Sequence, residues 1–158
     1  FNEFKVKNND LTELKKRIDI VPISLGIAQA AIESGWGTSR FALEGNAYFG
    51  QKVVGTKVNG IKPIDSENPL IKVRSFKNLN DSVKAYINNL NTHFAYKSFR
   101  KSRYELRSFG KTLEGKVLVN QLIKYSERGN DYINNIQKII KENNLSKFDF
   151  IEYRSAQR

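Results

Sequence analysis

The segment Val21-Pro22-Ile23-Ser24-Leu25-Gly26-Ile27-Ala28-Gln29-Ala30-Ala31-Ile32-Glu33 constrains this chain more than any other. Pro22 suits a first helical turn, where its missing N–H leaves nothing unpaired. Ile23, Ile27, Ala30 and Ala31 then recur at helical spacing. The helix this predicts is apolar on nearly all sides and small on one, at Gly26, Ala28, Ala30 and Ala31. Such a helix belongs in a core, with neighbours packed closely against it. It ends at Glu33-Ser34-Gly35. It is not a membrane span: the apolar stretch from Ile18 to Ile32 is broken by Asp19, Pro22, Ser24, Gly26 and Gln29, and crossing a bilayer takes about 20 residues.

Shorter helices surround it. Asp10 followed by Glu13 has capping-box spacing and opens a helix through Ile18. Thr38 is placed to cap a short helix that stops at Gly45. From Gln51 to Phe76 the pattern changes to Val, Ile and Lys alternations punctuated by Gly55, Asn59-Gly60, Pro63 and Pro69. We read there a small antiparallel sheet with a hairpin turn at Asn59-Gly60. Helices resume from a cap at Asn80 or Asp81, with Val83, Tyr86, Ile87 and Leu90 on one face. Others follow from Tyr96 to Ser108, from Thr112 with Leu113, Val117, Leu118 and Leu122 inward, and from Asn130-Asp131 with Ile133, Ile136, Ile139 and Ile140 as the stripe. The fold class expected is α+β, mostly α: helices around one buried central helix, with a small antiparallel β lobe. A chain of 158 residues is read as one domain, here over residues 1–145, with residues 146–158 as an irregular tail.

Composition narrows the chemistry. Hydrophobic residues at 39% and charged residues at 27% fit a folded chain rather than a disordered one. With no cysteine, disulfides, thiolate catalysis and Cys-ligated metals are excluded. With His93 as the sole histidine, a multi-His zinc site is excluded too. The first residue is Phe1 rather than methionine, which leads us to expect that an N-terminal piece has been removed and leaves export undecided. The net charge of +11 favours an anionic polymer, whether nucleic acid, an anionic lipid surface or an acidic cell wall.

Glu33 is the chemical anomaly. In the last turn of so apolar a helix, the negative helix end disfavours its ionised form, and partial burial acts in the same direction. A carboxyl that keeps its proton is what glycosidic cleavage needs, because the leaving oxygen must receive one. Gly35-Trp36-Gly37 adds a flexible corner and the only tryptophan, suited to face a sugar ring or to fill the core.

The run Ala28-Gln29-Ala30-Ala31-Ile32-Glu33-Ser34-Gly35-Trp36-Gly37-Thr38-Ser39 resembles the signature of the glucosaminidase family, glycoside hydrolase family 73. Asn46-Ala47-Tyr48-Phe49-Gly50 resembles that family's Asn-x-Phe-Gly segment. Further marks are similar to its bacterial Bax-type branch: Arg17-Ile18-Asp19-Ile20-Val21-Pro22, Asn89-Leu90-Asn91-Thr92-His93 with Tyr96, and Tyr125-Ser126-Glu127-Arg128-Gly129-Asn130-Asp131-Tyr132. The resemblance implies a lysozyme-like fold with a sugar cleft between an α and a β lobe. It also implies an endo-acting β-N-acetylglucosaminidase that cuts the β-1,4 bond between N-acetylglucosamine and N-acetylmuramic acid in peptidoglycan. Glu33 matches the catalytic acid, and Tyr125 matches a cleft tyrosine that orients substrate or water. Trp36, Asn46, Tyr48, Phe49, Gln51, Asn91, His93, Tyr96 and Ser126 are the substrate-binding positions it implies. Tyr132 also fits the buried face of the last helix.

The second acid is less plain. Where the Bax-type pattern carries a glutamate this chain has Lys72, and the nearest acids are Glu67 and Asp65. Glu67 is our choice, with Asp65 and assistance from the substrate's own acetamido group as alternatives. The basic and aromatic residues from Tyr96 to Tyr104 suit single-stranded nucleic acid. At helical spacing, however, Phe99 and Arg103 share a face while Arg100 and Lys101 point elsewhere, so a solvated basic side explains them. A wall-binding module without catalysis and a nucleic-acid binder are the alternative functions; the latter lacks any helix-turn-helix, zinc-knuckle or RNP-type motif. The enzyme reading implies no metal or organic cofactor, no obligatory nucleic acid, a monomer, and work in the periplasm, the cell envelope or outside the cell.

Overall fold

Asp10 begins the regular structure, its side chain accepting the Glu13 N–H at 3.0 Å. In chain order the elements are α1 (Leu11–Arg17), α2 (Ile23–Glu33), α3 (Arg40–Gly45), β1 (Lys52–Val54), β2 (Gly60–Ile61), β3 (Ile71–Arg74), α4 (Leu79–Thr92), α5 (Lys97–Ser108), α6 (Gly115–Leu118) and α7 (Asn130–Glu142). Short 3-10 turns cover Phe94–Tyr96, Val119–Gln121 and Leu145–Phe150. This computed structural model describes residues 1–150. The chain is mostly helical with one small antiparallel sheet, as its patterning predicts. It divides into two compact units, Phe1–Ala28 with Asn91–Arg158, and Gln29–Leu90. No helix among the described residues is long and apolar enough to cross a membrane.

In the first unit, Phe99, Leu113, Leu118, Val119, Leu122, Ile136 and Ile140 are buried. Arg103 is fully buried among them and donates to the carbonyls of Ile20 (2.8 Å) and Lys16 (2.7 Å) and to Oδ1 of Asn91 (2.8 Å). Burial lowers its pKa to about 10, with Asp19 opposing that fall and Arg100 and Arg107 adding to it. Arg103 therefore stays charged at neutral pH. Asp19 receives both Nε and Nη2 of Arg107 at 3.1 Å, while its 4.0 Å separation from Arg103 Nε is too long for a hydrogen bond. Arg17 adds bonds to Glu13, to the Phe4 carbonyl and to the Thr92 carbonyl.

Arg100 departs from the expected pattern. It is buried rather than solvated and donates to the His93 carbonyl at 2.8 Å, because the inner face of α5 includes Arg100 beside Phe99 and Arg103. The helix expected to start at Thr112 starts at Gly115, and Val117 is exposed rather than inward. The segment after Asn144 is a 3-10 turn instead of an irregular tail. Its Asp149 explains why: Oδ1 accepts the Ser24 N–H (2.9 Å), and Oδ2 accepts the Ser24 hydroxyl (2.6 Å) and the Gly115 N–H (2.9 Å). One carboxylate thus serves the starts of α2 and α6. A side chain at position 115 would run into Ser24, so glycine permits that approach. The expected boundary between residues 145 and 146 falls inside this 3-10 turn, and residues 151–158 of the expected tail lie outside the described residues.

In the second unit, β1 and β2 both pair with β3, giving the order β1-β3-β2. Lys52 stands opposite Val73, Val54 opposite Ile71, and Gly60 opposite Arg74, all antiparallel. The expected hairpin at Asn59-Gly60 is absent; Gly60 is instead a strand residue lying so close to β3 that a Cβ there would be 2.7 Å from the Val73 carbonyl oxygen. Two helix caps differ as well. Ser39 caps α3, accepting the Ala42 N–H, while the Thr38 hydroxyl donates to the Gly35 carbonyl at 2.6 Å. Asn78 takes the capping role for α4, accepting the Asp81 N–H at 2.9 Å, so the helix begins ahead of Asn80. On α2 the buried positions include Leu25, Ala28, Gln29 and Ala31, whereas Ile27 is exposed.

Asp149→Ala removes two helix-start partners at once. We expect a loss of about 2 kcal/mol, summed from two caps of ordinary strength, seen as a lower urea midpoint at unchanged slope.

Candidate active site

Glu33 is the last residue of α2 and is half-buried. The chain leaves the helix by a left-handed turn in which the Gly35 N–H reaches the Ile32 carbonyl (3.3 Å) and the Trp36 N–H reaches the Ala31 carbonyl (2.7 Å), the pattern of a Schellman stop. The left-handed conformation continues beyond the glycine: φ is +57° at Gly35, +57° at Trp36 and +79° at Gly37. For a tryptophan this costs about 1 kcal/mol or more. Ser34, 1% exposed, secures the turn by donating to the Ala30 carbonyl (2.6 Å) and accepting the Gly37 N–H (2.8 Å). The result displays the Trp36 side chain, 64% exposed, so Trp36 is not a core residue.

The Asn46–Gly50 segment meets Glu33 directly. At Gly50 the backbone has φ +58°, and a Cβ there would lie 3.1 Å from Oε2 of Glu33. Glycine is suited to this place both by conformation and by clearance. Phe49 is buried and stacks on Tyr86 with ring centroids 4.0 Å apart and planes 10° from parallel. The Tyr86 hydroxyl donates to Oε1 of Gln29 at 2.7 Å. Gln29 is itself fully buried and stands one helical turn before Glu33 on the same face. Asn46 closes α3 in a left-handed conformation and donates its side-chain amide to the Phe76 carbonyl at 3.2 Å. Tyr48 is half-buried, its N–H directed at Ser82 Oγ (3.4 Å) and its ring 3.7 Å from where a Gly37 Cβ would stand. Gln51 carries a buried Oε1 with no donor among the described residues.

Asp65 and Glu67 are both exposed, in the segment joining β2 to β3. Lys72, on β3, donates to the carbonyls of Thr56 (3.4 Å) and Val58 (3.2 Å) and so ties down the segment joining β1 to β2. Among the described residues no group of three or more His, Asp or Glu side chains is arranged to hold a metal ion.

The other candidates lie in the first unit. Tyr125 is half-buried, with ring centroids 5.6 Å from buried Tyr132 and 5.9 Å from buried Tyr96. Ser126 is half-buried and its hydroxyl accepts the Arg128 N–H at 3.3 Å. His93 is exposed. Asn91 is buried, and its amide is engaged at both ends, by the Asp19 carbonyl (3.1 Å) and by Arg103. Phe49 and Asn91, expected to touch substrate, thus occupy bracing positions. Sequence reasoning missed the Gln29–Tyr86 bond. Its signal was a glutamine inside an apolar helix, since a buried amide needs a partner.

The sequence itself places the chain in a family. The profile of the glucosaminidase family, mannosyl-glycoprotein endo-beta-N-acetylglucosaminidase, matches residues 8–145. The chain belongs to this family, whose activity makes it one of glycoside hydrolases. Among curated proteins it is similar to Protein bax of Escherichia coli (strain K12), 36% identical over 142 residues that make up 90% of this chain and 49% of that protein. The chain therefore spans about half the length of that relative. No solved structure matches.

Gly50→Ala introduces a methyl group against Glu33 Oε2 and strains the backbone. We expect glycan hydrolysis to fall by about tenfold to a hundredfold, the penalty for a displaced reacting group, in a protein whose circular dichroism is unchanged. Unaltered turnover would show that this contact does not position the carboxyl.

Proposed function

We propose that this chain is an endo-β-N-acetylglucosaminidase of bacterial peptidoglycan, cutting the β-1,4 bond between N-acetylglucosamine and N-acetylmuramic acid with Glu33 as general acid. The observation that carries the reading is the Glu33 carboxyl at the negative end of an apolar helix, with the Gly50 backbone against its Oε2. That helix end favours the protonated carboxyl, and the proton goes to the leaving glycosidic oxygen as the bond breaks. Tyr125 orients the substrate or the attacking water. Glu67 is the preferred second group, with Asp65 or the substrate's acetamido oxygen as alternatives. Trp36 offers a sugar platform, and Asn46, Tyr48, Gln51, His93, Tyr96 and Ser126 complete the substrate contacts.

The net charge of +11 suits an acidic wall polymer. Carboxyl groups and water suffice for this chemistry, so the reading invokes no metal or cofactor. Acting as a monomer in the periplasm, the envelope or outside the cell follows from where the substrate lies. Residues 1–145 form the catalytic domain in this reading, with Asp149 as a further anchor.

Wild-type protein is expected to clear a peptidoglycan suspension and to release fragments with N-acetylglucosamine at the new reducing end, identified by mass spectrometry. Glu33→Gln should lower the rate about a hundredfold or more while leaving the thermal midpoint near the wild-type value. New ends carrying N-acetylmuramic acid would overturn the bond assignment, and full activity in Glu33→Gln would remove Glu33 from the chemistry. Lys72 supports a second reading, a wall-binding module without catalysis, because it stands where an acid is expected and its ammonium is engaged by two carbonyls. Co-sedimentation with wall material in the absence of any released sugar would favour that reading.

A further inference from the structure

Phe94 is 81% exposed and belongs to none of the groups described so far. A single exposed ring is ordinary by itself, but this one is held firmly. It lies in the 3-10 turn Phe94–Tyr96, which His93 caps by accepting the Ala95 N–H on Nδ1 at 3.3 Å. The His93 carbonyl receives both the Tyr96 N–H (3.2 Å) and Nη1 of buried Arg100 (2.8 Å). The backbone carrying Phe94 is thereby braced from inside the unit. The capped Nδ1 acts as an acceptor, so the neutral ring carries its proton on Nε2, where it is a donor.

The pair does not stand alone. The Phe94 and His93 ring centroids are 4.5 Å apart, His93 is 5.6 Å from Tyr96, and Tyr96 is 5.9 Å from Tyr125. An aromatic row therefore runs from an exposed ring through a buried one to the tyrosine that the proposed mechanism uses. We propose that Phe94 and His93 form an outer subsite for one N-acetylated sugar ring of the glycan strand. The apolar C–H face of the sugar lies on the electron-rich face of Phe94, and Nε2–H of His93 donates to a sugar oxygen. The subsite takes no part in bond cleavage. This inference rests on the glucosaminidase reading.

The test measures binding apart from turnover. In the Glu33→Gln protein, Phe94→Ala is expected to weaken co-sedimentation with purified sacculi about tenfold, equivalent to about 1.4 kcal/mol. Phe94→Leu should weaken it similarly, and Phe94→Tyr should leave it unchanged. In otherwise wild-type protein, Phe94→Ala should raise KM for the same sacculi while kcat stays the same. Because the side chain is exposed, these variants should fold as the parent does, which thermal melting checks. Sacculus binding that is indifferent to Phe94→Ala overturns the subsite alone, as does full binding by Phe94→Leu, which would reduce the contact to simple greasiness. No sacculus binding by the Glu33→Gln parent, together with an inactive wild type, overturns both the subsite and the functional reading beneath it.

Discussion

The hydrogen bond from the Tyr86 hydroxyl to Gln29 Oε1 is the interaction on which the arrangement around Glu33 depends. Gln29 is a polar residue in a helix otherwise made for burial, and it has no exposed surface. Left without a partner there, its amide would cost about 1–3 kcal/mol. With Tyr86 as donor it locks the rotation of α2 against α4. Tyr86 then offers its ring face to Phe49, and Phe49 fixes the turn that brings Gly50 to the Glu33 carboxyl. The acid is thus aligned by a column of side chains one helical turn away from it. Loops alone hold catalytic groups less accurately than packed elements do.

Next to this rigid column stands a strained turn. Three successive residues take positive φ, and the middle one is a tryptophan. Glycine would be easier at that place, so the backbone accepts a penalty that the Gly35 and Trp36 N–H bonds and those of Ser34 and Thr38 sustain. What the chain gains is a large aromatic face directed to solvent three residues after the acid. A less strained turn with Trp36 packed inward would bury more apolar area and favour stability. Proteins keep such departures mainly where a binding surface is needed. Trp36 and Phe94 are the same kind of feature in different units: exposed aromatics fixed by buried hydrogen bonds beneath them.

Much of this was legible in the residues. The helical spacing from Pro22, its stop at Glu33-Ser34-Gly35, and the cap at Asp10 follow from rules of local chemistry, and they hold. Errors arose where a tertiary partner outbid a local preference. Asn59-Gly60 has the composition of a hairpin turn, but Gly60 pairs with Arg74 because β3 lies between the other two strands. Thr38 is a sound cap by type, but the helix starts one residue later, with Ser39 accepting the Ala42 N–H. Arg100 reads as a solvated cation because no local rule announces that it will turn inward to the His93 carbonyl. Asp149 was invisible for a simpler reason: its partners, Ser24 and Gly115, are far from it in sequence.

The same distinction sorts the family-like segments. Arg17-Ile18-Asp19-Ile20 reads as a family mark and Asn91 as a substrate contact, and their bonds are to Glu13, Arg103, Arg107 and backbone carbonyls, which makes them the frame of the first unit. A recurrent motif can therefore mark a hard packing problem as readily as a chemical one. Lys72 sharpens the point for the second catalytic group. Its ammonium, occupied by the Thr56 and Val58 carbonyls, does for the β1–β2 segment what a carboxylate could not, since a carboxylate has no proton to donate to a carbonyl. The acid missing from β3 leaves Asp65 and Glu67 exposed on the segment joining β2 to β3, which is tied at its two ends, where Arg40 donates to the Lys62 carbonyl and the Gly55 N–H to the Leu70 carbonyl. Between those ties its bonds are local, from Ser66 to Pro63 and Asn68 and from Leu70 to Asn68, and shape the turn that carries both acids. In the proposed mechanism, then, the second group either arrives with that segment when glycan binds or comes from the acetamido oxygen of the sugar, while Glu33 waits in a geometry already set.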